Sequence, residues 1–191
     1  ALGFIYLGGF FVSFMSGNST RLGVGLAQDW HHALVSGGLI VAFVFGVILG
    51  TLFAYRGTKG RSISVLLLVT MLLLAAATAH AGDMHATAVA LTAMSMGAIN
   101  CIFVGSSGEV TTGVTYMTGT LVKLGQGIAR NMVKPDKIAW GGYLWLWLGL
   151  IVGGIIGAVV YQMMGLSALW LAVIVSLLIA ILASRLKLGE N

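Results

Sequence analysis

The chain has 191 residues, of which 59% are hydrophobic and 8% charged, with a mean hydropathy of +1.03. So few charges cannot cover the surface of a soluble domain of this size, which leaves an integral membrane protein built as one compact domain. The net charge of +5 does not point to nucleic acid, because the basic residues fall in short stretches between apolar runs and act as topology signals.

In chain order, the first apolar run begins at Ala1 and ends near Met15. That is short of the ~20 residues a spanning helix needs, so residue 1 is expected to lie inside a helix that starts upstream. A signal-peptide core fits less well, since no basic leader or small-residue cleavage site surrounds the run. Further apolar runs follow at 33–55, 62–82, 84–105, 138–162 and 166–185. Each suits a hydrocarbon layer of ~30 Å at a rise of about 1.5 Å per residue. The lone Cys101 excludes an intramolecular disulfide, and Pro135 is the one proline, so helix breaks must come from the 28 glycines.

The segment Phe14 to Ala27 is echoed by Tyr116 to Ala129 at a constant displacement of 102, with six of fourteen positions identical. Composition alone would give about one or two matches, so this is an internal repeat. Moving the runs 33–55 and 62–82 by 102 to 104 residues lays them on the last two runs, where Gly46-Val47-Ile48-Leu49-Gly50 meets Gly149-Leu150-Ile151-Val152-Gly153. Two halves of three spans follow, residues 1–82 and 83–191, together one membrane domain. An odd number of spans per half inverts the second copy in the bilayer. Charge agrees with this layout. Nine of ten cations (Arg56, Lys59, Arg61, Lys123, Arg130, Lys134, Lys137, Arg185 and Lys187) collect on one face, which is then cytoplasmic, together with loops 55–62 and 106–138 and the C-terminus. Arg21, Asp29, Asp83, His31, His32, His80 and His85 fall on the other. The expected fold is an all-α polytopic membrane protein of about six transmembrane helices, a 3+3 inverted repeat with two re-entrant or half-helix segments.

Those segments are residues 16–30 and 118–132. The second becomes helix-like only from about Thr120 to Met132, long enough for ~18 Å, about half the hydrocarbon core. Irregular backbone at that depth is tolerated only inside protein or along a polar cavity. Ser16, Gly17, Asn18 and Thr20 in the first copy, and Thr118, Gly119 and Thr120 in the second, have the composition of capped helix starts. Gly17 and Gly119 would let backbone approach a ligand closely. Half-helix N-termini favour an anionic or electron-rich group, and Arg21 and Lys123 sit at matching positions one turn further on. The competing reading is a pair of surface helices, with Arg21 and Lys123 snorkelling to headgroups.

Outside the repeat, Asn100 lies within the fourth run, where it serves either a site or an interhelical hydrogen bond. Glu109 is the carboxylate nearest the second copy and reads either as a proton-coupling group or as a solvated loop charge. The histidines do not make a metal site by spacing: His31 and His32 are adjacent, and His80 and His85 are five apart rather than three or four. No metal or cofactor is expected. The small-residue stripes Gly46, Gly50, Ala54 and Gly149, Gly153, Gly157 pack the halves together or form a homodimer. Trp140, Tyr143, Trp145 and Trp147 form an interfacial aromatic cluster. The acceptor pattern Asn18-Ser19-Thr20 is read as coincidental.

Three phrases carry a family resemblance. Phe11-Val12-Ser13-Phe14-Met15-Ser16-Gly17-Asn18 resembles the F-x-S/A-x-M-T-G-N phrase of the YoaK-type bacterial membrane proteins, a domain-of-unknown-function family. Met96-Gly97-Ala98-Ile99-Asn100 resembles its G-x-Q-N helix, and Thr115-Tyr116-Met117-Thr118-Gly119-Thr120-Leu121 its T-Y-x-T-G-T-L. The resemblance covers nearly the whole chain and implies a six-span protein of the bacterial inner membrane, without implying a substrate. Ile99 stands where the family has Gln, and Cys101-Ile102-Phe103-Val104 where it often has arginines.

The expected function is a small secondary transporter for a small polar, anionic solute, with membrane lipid and that solute as partners. A channel on the same inverted repeat is the alternative. An intramembrane enzyme fits least, for lack of H-E-x-x-H, paired intramembrane aspartates or a nucleophile–base pair, and no phosphate-binding loop for ATP is present.

Overall fold

Long apolar runs without proline dictate helices, because backbone polar groups in lipid must be satisfied within the segment itself. The computed structural model, which describes residues 1–56, 61–102, 115–133 and 140–186, is all-helical over those residues. In chain order the helices are α1 (Leu2–Tyr6), α2 (Met15–Gln28), α3 (Trp30–Arg56), α4 (Arg61–Ala81), α5 (His85–Ala98), α6 (Met117–Val133), α7 (Gly141–Met164) and α8 (Leu169–Arg185). Short 3₁₀ turns Ile99–Cys101 and Gly165–Ala168 extend α5 and join α7 to α8.

Three stretches are long and apolar enough to cross a membrane: Trp30–Arg56, Arg61–Ala81 and Gly141–Arg185. The last is broken at Gly165, whose φ of +60° ends α7 before α8 begins. The sequence-derived boundaries for these runs lie within a few residues of the observed ends. α5 is shorter than the run 84–105 suggested; its 14 residues rise only about 21 Å before the 3₁₀ turn.

The centre is α4, whose Val65, Val69, Leu72, Leu73, Ala76 and Ala77 are buried against α3, α5 and α8. Thr70 and Ser176 share a buried hydroxyl hydrogen bond of 2.8 Å that ties α4 to α8. α5 crosses α3 at backbone contact. A β-carbon at Gly46 would overlap the Met94 carbonyl, and one at Gly97 would overlap that of Phe43. Small residues are therefore obligatory at this crossing. α5, which follows residue 82, packs on α3 and α4, which precede it. α6 lies along α7, and α2 along α3.

Candidate functional site

The backbone reverses after α1 at Gly8 and Gly9, both at positive φ, and runs irregularly through Phe10 to Phe14 before α2 starts at Met15. Asn18, wholly buried, holds this approach: its Oδ1 accepts the Phe11 N–H at 3.1 Å and its Nδ2 donates to the Phe11 carbonyl. The second copy is held in another way. Asn100, at the end of α5, accepts both the Thr115 N–H and the Thr115 hydroxyl on Oδ1, each at 3.0 Å, while its Nδ2 donates to the Met96 carbonyl at 2.8 Å. Asn18 thus spends both polar groups on the backbone that leads into α2, whereas Asn100 spends only its Oδ1 on the residue leading into α6 and its Nδ2 on α5 itself.

The two helix starts meet. Ser13, Phe14, Met15 and Ser16 of the first copy and Thr115, Tyr116, Met117, Thr118 and Gly119 of the second line one cavity of about 310 Å³, closed on a further side by Phe43 of α3. Among the described residues no side chain caps the start of α2. The hydroxyls expected to cap N–H groups instead donate to carbonyls one turn back: Ser19 to Met15 at 2.9 Å, Thr20 to Ser16 at 3.2 Å and Thr120 to Tyr116 at 3.2 Å. A hydroxyl inside a helical turn finds the i−4 carbonyl as its nearest acceptor, which is why composition alone misassigned these bonds. The first-turn N–H groups of α2 keep their partial positive charge without a protein side chain upon them.

The eleven residues singled out in the sequence therefore divide. Ser16, Thr118 and Gly119 line the shared cavity; Gly119 faces open space, whereas a β-carbon at Gly17 would strike the Phe14 ring, so Gly17 serves packing. Asn18 and Asn100 position the approaches, and Thr120 is buried. Thr20 and Arg21 line a second cavity of about 170 Å³ with Phe10, Gln28, Asp29 and His32. There the Arg21 guanidinium lies 5.0 Å from the Phe10 ring centroid and 5.9 Å from that of Phe11. The exposed Lys123 places its Nζ 5.8 Å from the Tyr143 ring. Neither cation reaches the shared cavity. Glu109, with Lys59, Lys134, Lys137 and Lys187, lies outside the described residues.

Several cavity residues were missed by sequence reasoning. Phe43 carries no local signal, being one apolar residue in an apolar helix, and Tyr116 was read only as part of a motif. His80 and His85 also surprise: their Nδ1 atoms approach to 3.3 Å because the turn at Gly82 and Asp83 folds α5 back on α4, so five residues of spacing does not separate them. No group of three or more potential ligands gathers among the described residues.

An all-helical chain with membrane-crossing stretches and a cavity between two repeated helix starts is a polytopic membrane protein. The chain belongs to the family described as "Protein of unknown function (DUF1275)", which matches residues 1–182 and is the family of the YoaK-type proteins. It is 35% identical over 187 residues to a UPF0700 transmembrane protein of Rhizobium meliloti (strain 1021), covering 97% of this chain and 80% of that relative. No solved structure matches.

Proposed function

We propose that this protein is a small secondary transporter that binds one small polar, anionic solute in the cavity shared by the two repeat copies. It works in the bacterial inner membrane, as six spans in two inverted halves, with loops 55–62 and 106–138 and the C-terminus in the cytoplasm. The carrying observation is that the starts of α2 and α6, 102 residues apart in a repeated phrase, line one cavity in a chain with so little other polar surface. Two helix N-termini at one cavity favour a single negative charge. Phe14, Phe43 and Tyr116 supply flat walls against which the uncharged part of the solute would lie, its anionic end toward the helix starts. Catalysis plays no part in this reading.

The test begins with thermal-shift screening of the purified protein against metabolite and anion libraries, followed by uptake of each hit into proteoliposomes. Gly119→Leu fills the cavity at a position where a β-carbon meets none of the described residues. It is expected to lower uptake at least about tenfold, a loss of roughly 1.4 kcal/mol or more in productive binding, while the unfolding midpoint stays put. Saturable uptake and counterflow unchanged in Gly119→Leu would refute the assignment of the cavity, and conductance without saturation would make the protein a channel.

A further inference from the structure

We propose that the second cavity, around Arg21, is an oxyanion site that recruits the solute's anionic end before it reaches the shared cavity. The recruitment step rests on the carrier reading above; the oxyanion site stands without it. Among the described residues no carboxylate lies within 4 Å of the Arg21 guanidinium, and the Gln28 amide makes no hydrogen bond. The half-buried Arg21 guanidinium and the exposed Gln28 amide, neither with a protein acceptor among the described residues, therefore border one cavity of about 170 Å³. The carboxylate in its wall, Asp29, is engaged by the start of α3, in part through His32, which lines the same cavity. Asp29 accepts the His31 N–H at 2.9 Å and pairs with His32 Nδ1 at 3.0 Å, both on the start of α3.

The guanidinium is also held in place. Stacking on Phe10 and Phe11 limits its rotamers, so its planar fork of donors is presented ready-made to a carboxylate or phosphate. The cavity is large enough for such a headgroup. α2 connects the two cavities: Ser16 lines the shared one and Val24 the other, about 12 Å apart along the axis. In the repeat Lys123 occupies the position of Arg21 and likewise sits on an aromatic ring, so each copy carries a cation one turn beyond the shared cavity.

A lipid phosphate and a free anion share the chemistry this site would recognise, so the experiment separates them. Modification of Arg21 by phenylglyoxal is followed by peptide mass spectrometry in phosphatidylcholine nanodiscs, with the exposed Arg56 as internal reference. Sodium acetate or inorganic phosphate, against chloride at equal ionic strength, is expected to slow modification of Arg21 about threefold at twice the dissociation constant and to leave Arg56 unchanged. Gln28→Ala, which leaves the stacked guanidinium untouched, is expected to weaken that protection. Absence of protection overturns the proposal, and so does protection by phosphatidylglycerol nanodiscs alone, which would make Arg21 a headgroup anchor. Protection of Arg21 in a protein that transports no solute would keep the oxyanion site and remove the carrier; uptake with Arg21 unprotected would remove the site and keep the carrier.

Discussion

α3 and α7 carry the same glycine spacing at matching places in the two halves, yet meet different surroundings. On α3, Gly46 faces the Met94 carbonyl and Gly50 faces Ala98 and Cys101, so α5 lies in backbone contact along the stripe. On α7 a β-carbon at Gly149, Gly153 or Gly154 would meet none of the described residues within 4 Å, and one at Gly157 would meet, among them, only the methyl of Ala1. Small residues permit a close crossing; they do not supply the helix that makes it. What α3 has and α7 lacks is a partner with its own small residues, Ala93, Gly97 and Ala98 of α5.

The largest expected effect breaks the α3 side. Gly46→Leu forces apart two backbones and is expected to cost about 3 kcal/mol or more, read as loss of the monodisperse protein in detergent. A folded, stable Gly46→Leu protein would show the crossing to be looser than described. The two halves can be compared next at their asparagines. Asn18→Ala leaves the partly buried Phe11 amide and carbonyl without their partner, and Asn100→Ala does the same to the partly buried Thr115 amide, each expected to cost about 1 kcal/mol in thermal or denaturant unfolding. Equal losses would mean that the clamp from α2 onto its own approach and the clamp from the end of α5 onto Thr115 are equivalent devices; a loss confined to one would mark that approach as the rigid one. The smallest effect is expected on α7. Gly153→Leu should change stability by no more than about 0.5 kcal/mol, because the added side chain enters open space. A loss as large as that of Gly46→Leu would reveal a helix seated on α7, a second copy of the chain included.

Much of the fold was legible because lipid leaves few choices. Proline-free apolar runs gave α3, α4, α7 and α8 to within a few residues, and the repeat located α2 and α6 through Met15, Gly17, Met117 and Gly119. The candidate site was legible in part. Ser16, Thr118 and Gly119 were found because polar and glycine-rich phrases are conspicuous in so apolar a chain. Phe43 was invisible, since nothing local tells a cavity-lining phenylalanine from a lipid-facing one. Asn18 drew notice as a ligand when its role is to fasten Phe11, because an amide's partner seven residues away is not written in its neighbours.

Taken alone, the sequence determined that the chain lives in a membrane, where its long helices lie and which phrase is duplicated, because hydrophobicity and spacing are local properties. Only the tertiary structure decided that the duplicated helix starts share one cavity, that Arg21 faces another and that α5 covers the glycine stripe of α3 while the stripe of α7 meets no such helix among the described residues. Those outcomes depend on contacts between residues far apart in the chain, and on which of several chemically adequate partners reaches a polar group first.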